Sequence, residues 1–353
     1  MPNKLQLSGH KMLYHLEHLN KWVKGEDFYP IYVELGPTTV CNQRCIHCYI
    51  RYLGFKNVFL DRKIMLKLVR DLGRIGVKAL CFAGTGEPFM HKATPEVILE
   101  AKKSGLDVAC ATNGVLFTRD IAEKVLGSLT WIRFSILGGS KETYMKLQGA
   151  KEQDWDRLLT NLKHTVGIKR KEKLDTAIGI VFFIFKENGH EVLGLAKQMK
   201  EIGVDYFVVK PVGDYEKNKY VAQKDLKEEF EKELKAVDGL SSQYFKAQVR
   251  WDMFEKWETK PYKKCLSLGF MTVIEADGGV YACGGYWQDK RYCYGNLYEK
   301  SFPRIWDSPE RKELMKYIQE RTNFKECYNC CRNHTINKFL WQLHEVPMHV
   351  NFI

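Results

Sequence analysis

Apolar and polar positions along the chain follow two periods. Between His10 and Gly25, Met12, Leu13, Leu16, Leu19, Trp22 and Val23 recur at helical spacing, and Gly25 is a stop signal. From Ile31 onward, short β-rich apolar runs take turns with amphipathic stretches. The runs cover 31–35, 78–82, 106–111, 131–136, 177–185 and 206–209, and each reads as a buried strand. The amphipathic stretches 64–75, 94–103, 118–126, 155–166 and 190–202 read as helices, the second opened by Thr94 and Pro95. Near-continuous apolar strands alternating with helices predict an α/β fold with a parallel sheet. In such sheets the chemistry gathers at the carboxyl ends of the strands.

Beyond residue 213 the pattern changes. Residues 214–239 are rich in Lys and Glu, and Leu226, Phe230, Leu234 and Val237 trace a helical stripe, read as a solvated linker helix. The runs 271–275 and 280–282 flank Asp277-Gly278-Gly279, a hairpin signal. A helix is predicted over 305–318. The aromatic tail 339–353 carries Trp341, His344 and His349 and is expected to pack on the barrel or close over the site. The boundaries follow: 1–29 a capping helix, 30–213 the main domain, 214–260 a linker helix region, 261–335 a small second domain, 336–353 a tail.

A chain of 353 residues with 45% hydrophobic and 28% charged content can bury a large core. It has no long apolar run and no apolar signal core at its start, so no membrane span and a cytoplasmic location are expected. Eleven cysteines then argue for metal binding over disulfides. The net charge of +12 suits anionic partners or a lysine-rich solvated surface equally. No RNA-binding module is visible, so RNA is not an expected partner.

The chemistry centres on Cys41-Asn-Gln-Arg-Cys45-Ile-His-Cys48, directly after the first strand. Three thiolates on one loop can hold three irons of a 4Fe–4S cube and leave the fourth open; zinc is the alternative that closely spaced cysteines suggest. The loop resembles the signature of the radical S-adenosylmethionine (radical SAM) superfamily, with His47 where that family favours an aromatic residue. Further motifs follow in the family's order at successive strand ends. Gly84-Thr85-Gly86-Glu87-Pro88 resembles its GGEP segment, with Thr85 in place of a glycine. Ala111-Thr112-Asn113-Gly114 matches its T-N-G run, and Ser135 a serine that contacts SAM. A backbone contact from around Val212 at the sixth strand completes the implied SAM-binding set of His47, Thr85, Gly86, Glu87, Asn113, Ser135 and Val212. The resemblance implies a partial (β/α)6 TIM-like barrel, with the clustered cysteines Cys41, Cys45 and Cys48 as iron ligands. Cys81 and Cys110 lie within predicted strands and are read as core packing.

Cys265, then Gly278-x4-Cys283, then Cys327-Tyr-Asn-Cys330-Cys331 resembles the C-terminal auxiliary-cluster domain of the same superfamily, called SPASM in its long form and twitch in its short form. The long form's closing cysteine run is absent. The short form implies one auxiliary 4Fe–4S cluster on Cys265, Cys283, Cys327 and Cys330, with a four-cysteine zinc ribbon as the alternative. Cys293 and Cys331 are left over, each a candidate alternative ligand, inert thiol or hydrogen-atom donor. The spacing resembles that of a sugar-alcohol (inosamine) dehydrogenase.

The resemblance implies reductive cleavage of SAM, hydrogen abstraction from a substrate and a flavodoxin- or ferredoxin-type reductant. Thirty residues before the barrel are too few for a leader-peptide-binding domain. The expected substrate is therefore small and polar, a sugar or cyclitol, free or nucleotide-linked, undergoing oxidation or epimerisation. Peptide or protein maturation, RNA modification and a non-catalytic metal or electron-transfer module are the other readings. Lys210 and Arg250 lie in the region where a general base would be sought, without a pattern that selects either.

Overall fold

A computed structural model describes residues 9–48, 54, 56–213, 223–254, 260–287, 289–321, 324, 327, 331 and 333–352. A 3-10 turn, Gly9–Tyr14, leads into α1 (Leu16–Lys24), which ends at Gly25 in the left-handed conformation with φ 70°. The alternating region then delivers β1 (Tyr32–Leu35), α2 (Arg62–Arg74), β2 (Ala79–Phe82), α3 (Thr94–Lys103), β3 (Asp107–Thr112), α4 (Arg119–Val125) and β4 (Trp131–Ile136). It continues with α5 (Lys141–Gln148), α6 (Glu152–Glu172), β5 (Ala177–Ile184), α7 (Val192–Ile202) and β6 (Tyr206–Pro211).

These six strands pair in sequence order, all parallel. One face of each strand supplies the core beneath the helices: Val33 and Leu35, Leu80 and Phe82, Ile132, Phe134 and Ile136, and their counterparts further along, with exposures near zero. The opposite face points into the barrel. Apolar residues on both faces are why these strands read as unbroken runs. Cys81 and Cys110 are buried, as expected of packing residues.

The sheet does not stop at six strands. After α8 (Leu226–Glu229) and α9 (Glu231–Asp238) comes β7 (Lys246–Val249), parallel to β6, and then α10 (Trp251–Phe254). The stripe Leu226, Phe230, Leu234 and Val237 is buried in the main core, not solvated. Its high Lys and Glu content belongs to the outer face, and the apolar stripe reports packing on α7. At the other edge, β8 (Met271–Ile274) lies parallel to β1, in register from Tyr32 with Met271 to Leu35 with Ile274. It turns through the expected hairpin into β9 (Gly279–Tyr281), which pairs with β10 (Cys293–Asn296). One ten-stranded sheet, β10-β9-β8-β1-β2-β3-β4-β5-β6-β7, therefore runs through both cysteine-bearing regions.

The single helix expected over 305–318 is two. Pro309, which has no N–H to continue a helix, starts α12 (Pro309–Arg321) after α11 (Phe302–Trp306) has ended. The tail forms α13 (His334–His344). Its Leu340 packs with Met12, Leu19, Ile31, Leu266 and Phe270, so the two ends of the chain share one small core. Among the described residues no helix is long and apolar enough to cross a membrane.

Candidate active site and auxiliary cysteine site

The 41–48 loop is held chiefly by backbone and amide bonds. Thr38, fully buried, donates its hydroxyl to the Val58 carbonyl (2.8 Å) and accepts from the Val40 N–H (3.0 Å). From the far side, α5 grips the loop: the Arg44 N–H donates to the Gln148 carbonyl (2.9 Å) and the Ile46 N–H to the Leu147 carbonyl (3.0 Å). The Gln148 side chain is the keystone. Its Nε2 donates to Gln43 Oε1 (2.7 Å), and its Oε1 accepts from the Leu137 N–H just past β4 (2.9 Å). Gln43 Nε2 in turn donates to the Tyr144 hydroxyl (2.7 Å). Such buried amides are costly to strand, about 1–3 kcal/mol each, so the network fixes one loop conformation. No spacing rule points to Gln43 or Gln148, and sequence reasoning missed both.

Within the loop, the Gln43 N–H donates to Cys41 Sγ (3.4 Å), and Asn113 Nδ2 donates to Asn42 Oδ1 (2.7 Å) beside that sulfur. Burial first, and then the neighbouring Glu87 carboxyl, push the Cys41 thiol up to about 12. Cys45 is likewise pushed well up by burial, with Cys48 and Cys41 adding to it. The three sulfurs are thus near enough to influence one another's charge. A positive iron centre would reverse those shifts, since thiolates are stable on a metal. His47 packs its ring on Phe183 and Phe185 (4.7 and 5.5 Å), with its buried Nδ1 unpartnered. Burial, reinforced by Lys210, lowers its pKa to about 3, so the ring is neutral at physiological pH. Val212 is packed with Leu137, Leu147, Phe183 and Phe185 against Cys45 and Ile46.

The loop after β2 crosses directly over the cysteine loop. The Glu87 N–H donates to the Val40 carbonyl (2.9 Å). The Glu87 carboxylate accepts from the Thr112 hydroxyl (2.6 Å) and the Phe89 N–H (3.3 Å) at Oε1, and from the Asn113 N–H (2.8 Å) at Oε2. It thus ties the G-T-G-E-P and T-N-G segments together and keeps one lone pair of Oε2 for a cation. The Thr85 hydroxyl is spent on Glu275 Oε2 (2.8 Å), reaching across to the end of β8. Gly84, at φ 110°, has the backbone conformation that this crossing needs, and a side chain there would also strike Gly36. Ser135 stands half-buried at the end of β4, where its carbonyl accepts from Gln148 Nε2 (3.3 Å).

Burial raises the Glu87 carboxyl to about 7, against the bonds that favour its ionised form. An acid raised on folding contributes stability that is complete below its unfolded value, near 4.5, and lost as pH rises through about 7. Thermal stability of the ligand-free protein is therefore expected to decline across that window, and E87Q to flatten the decline. An unchanged slope in E87Q, measured by calorimetry, would assign the decline to another group.

In the second site, Cys265 precedes a short 3-10 turn, Cys283 follows β9, and Cys327 and Cys331 lie between α12 and α13. Burial raises the thiols of Cys265, Cys283 and Cys331, that of Cys331 to about 12. Cys283 is next most affected by Cys331, then by Cys265 and Cys327, and Cys331 by Cys265 and Cys327. Cys265, Cys283, Cys327 and Cys331 therefore lie near enough to influence one another electrostatically. Cys330, the fourth ligand expected from the sequence, lies outside the described residues. Cys331 lies beside these thiols and so is a ligand candidate alongside Cys330. Cys293 is elsewhere: it packs on Met271, Val273, Tyr281 and Trp287 beside Cys48, and its thiol donates to the Gly295 carbonyl (3.3 Å).

Both sites fit iron–sulfur clusters by donor set. The Tyr294 hydroxyl, close enough to Cys265 and Cys283 to feel their charge, is buried without a partner, as a sulfide-facing donor would be. Among the described residues no three His, Cys, Asp or Glu side chains close tightly enough for a single ion.

Comparison with known proteins agrees with this layout. The Radical SAM superfamily profile matches residues 35–199, and an iron–sulfur cluster-binding domain profile (SPASM) matches residues 265–331. A tungsten-containing aldehyde ferredoxin oxidoreductase cofactor-modifying protein of Pyrococcus furiosus is 25% identical over 85% of this chain and 86% of its own length. Fe-coproporphyrin III synthase of Methanosarcina barkeri is 26% identical over 80% and 75%. Among solved structures, Streptococcus suis SuiB bound to S-adenosylmethionine superposes with TM-score 0.66 at 14% identity, covering 92% of this chain and 76% of that one. The anSMEcpe structure with bound AdoMet gives 0.60 at 17%, covering 90% and 96%. The structures establish the fold alone. The named relatives lend no support to the sugar or cyclitol expectation.

Proposed function

From a chain that is a radical SAM enzyme with a C-terminal SPASM domain, we propose that it abstracts a hydrogen atom from a small polar substrate held in the barrel, using two clusters. Cys41, Cys45 and Cys48 would hold the first, and Cys265, Cys283, Cys327 and Cys331 the second. When bound, the first cluster with SAM supplies a 5′-deoxyadenosyl radical, and the second supplies a site for one electron. The chain's own residues do the positioning. Glu87 offers its remaining lone pair to the SAM ammonium, Asn113 and Ser135 line the rim, and the neutral His47 ring walls the pocket with Phe183.

The observation that supports a small polar substrate lies one level down. Glu275 follows β8 as Gly36 follows β1, Ala83 follows β2, and Ala111 pairs with Arg133. Three small residues thus separate an acid from a base at one level of the barrel. Each of the two has a buried polar atom without a partner, Glu275 Oε1 and Arg133 Nε. A substrate bearing both a hydrogen-bond donor and an acidic or carbonyl group matches that lining. A sugar, a nucleotide or a cofactor precursor has this character. The Pyrococcus furiosus relative, named for modifying a cofactor, favours the last of these.

The test is anaerobic reconstitution with dithionite and SAM, reading 5′-deoxyadenosine and then deuterium transfer from labelled candidates. Deoxyadenosine carrying substrate deuterium supports the reading. None under any condition would sink it in favour of a non-catalytic metal module.

A further inference from the structure

α13 carries a side chain that no cysteine motif announces. Asn337 is only 1% exposed and meets the auxiliary site end-on. Its Oδ1 accepts from the Ser267 backbone N–H at 2.9 Å, and its Nδ2 donates to Cys265 Sγ at 3.5 Å. A backbone N–H can only donate, so it fixes which end of the amide is oxygen and turns the NH2 to the sulfur. The same amide donates toward the Tyr262 hydroxyl, which also meets His334 Nδ1 at 3.1 Å. The Ser267 hydroxyl lies 3.7 Å from the same sulfur. Cys265 thus receives a directed N–H from a residue 72 positions away in sequence.

We infer that Asn337 raises the reduction potential of the auxiliary cluster and so makes it the electron acceptor of the reaction. This rests on Cys265 being a cluster ligand. A hydrogen bond to a ligating sulfur stabilises the more negative, reduced cluster more than the oxidised one. Low local polarity enlarges the difference. The helix that supplies the bond is seated by Leu340 in the core shared with α1, so the donor is rigid.

The experiment is EPR-monitored redox titration of the full-length Cys41/Cys45/Cys48→Ala protein, in which only the auxiliary cluster assembles. N337L removes the donor, N337D also places a negative charge beside the sulfur, and S267A removes only the hydroxyl. The midpoint is expected to fall in the order S267A, N337L, N337D. For N337L the expected fall is about tenfold in the one-electron equilibrium constant, about 59 mV. S267A keeps the backbone bond that seats Asn337, so a shift is readable even where the Asn337 variants fold poorly. Full iron with unmoved midpoints in the variants would show a merely structural amide and overturn the inference. Absence of iron from the parent triple variant, or its retention after a further Cys265→Ala change, would instead overturn the ligand reading on which the inference depends.

Discussion

Replacing Cys41, Cys45 and Cys48 together by alanine is expected to abolish 5′-deoxyadenosine formation and leave the chain folded with about half of its iron, about four atoms in place of about eight. The argument is structural on both sides. The loop's conformation is set by Thr38, the Gln43–Gln148–Tyr144 amide network and the backbone of Arg44 and Ile46, and none of these bonds uses a cysteine side chain. Removing three thiols therefore removes ligands, not scaffolding. The auxiliary cysteines are carried by segments after residue 260 and keep their own partners. Iron and sulfide counts, circular dichroism and chromatographic deoxyadenosine give the three readouts. A variant that loses all iron would show that the two sites assemble together. Deoxyadenosine from the triple variant would disprove the assignment of the first site.

If Cys331 is the fourth auxiliary ligand, Cys331→Ala is expected to lose the auxiliary iron, about four atoms, while Cys330→Ala keeps it. Cys331 stands half-buried, as do Cys265, Cys283 and Cys327, and lies near enough to them for their charges to act on its thiol. SAM cleavage by the first site should persist in Cys331→Ala, because the cysteines proposed for that site all lie on the 41–48 loop. What should fall to background is any oxidised product, whose electron would have no acceptor. The opposite pattern, iron lost with Cys330 and kept without Cys331, would return the fourth position to Cys330.

Much of the barrel was legible because its signals are local. Trp131–Ile136 and Thr94–Lys103 appear with the residues that period and capping predict. The SAM-site motifs fall at strand ends, where a parallel sheet must put them. What was not legible depends on contacts far apart in sequence. The 226–237 stripe looks like a solvated linker helix until α7 is beside it. β7, four residues long, is too short for any alternation to show. Gln148 and Asn337 are ordinary helix residues whose roles exist only through partners about 100 and 70 positions away. Spacing alone does not choose between the adjacent Cys330 and Cys331. The Thr85 hydroxyl bonds to Glu275, which lies in a different domain by the boundaries read from the sequence.

The pairing of β8 with β1 has a consequence for how the chain must be made. Tyr32 waits 239 positions for Met271, its partner on that side. Until the ribosome has delivered the hairpin, the barrel's first strand presents an open row of N–H and C=O groups, with Val33 and Leu35 beside them. Such an edge is a template for another chain's strand. Closing it is the longest-range strand pairing among the described residues, and such events are slow because the intervening loop must lose its freedom first. The nascent protein is therefore most vulnerable to misassembly when its catalytic half is already complete, and the C-terminal domain acts on it as the last stave does on a cask.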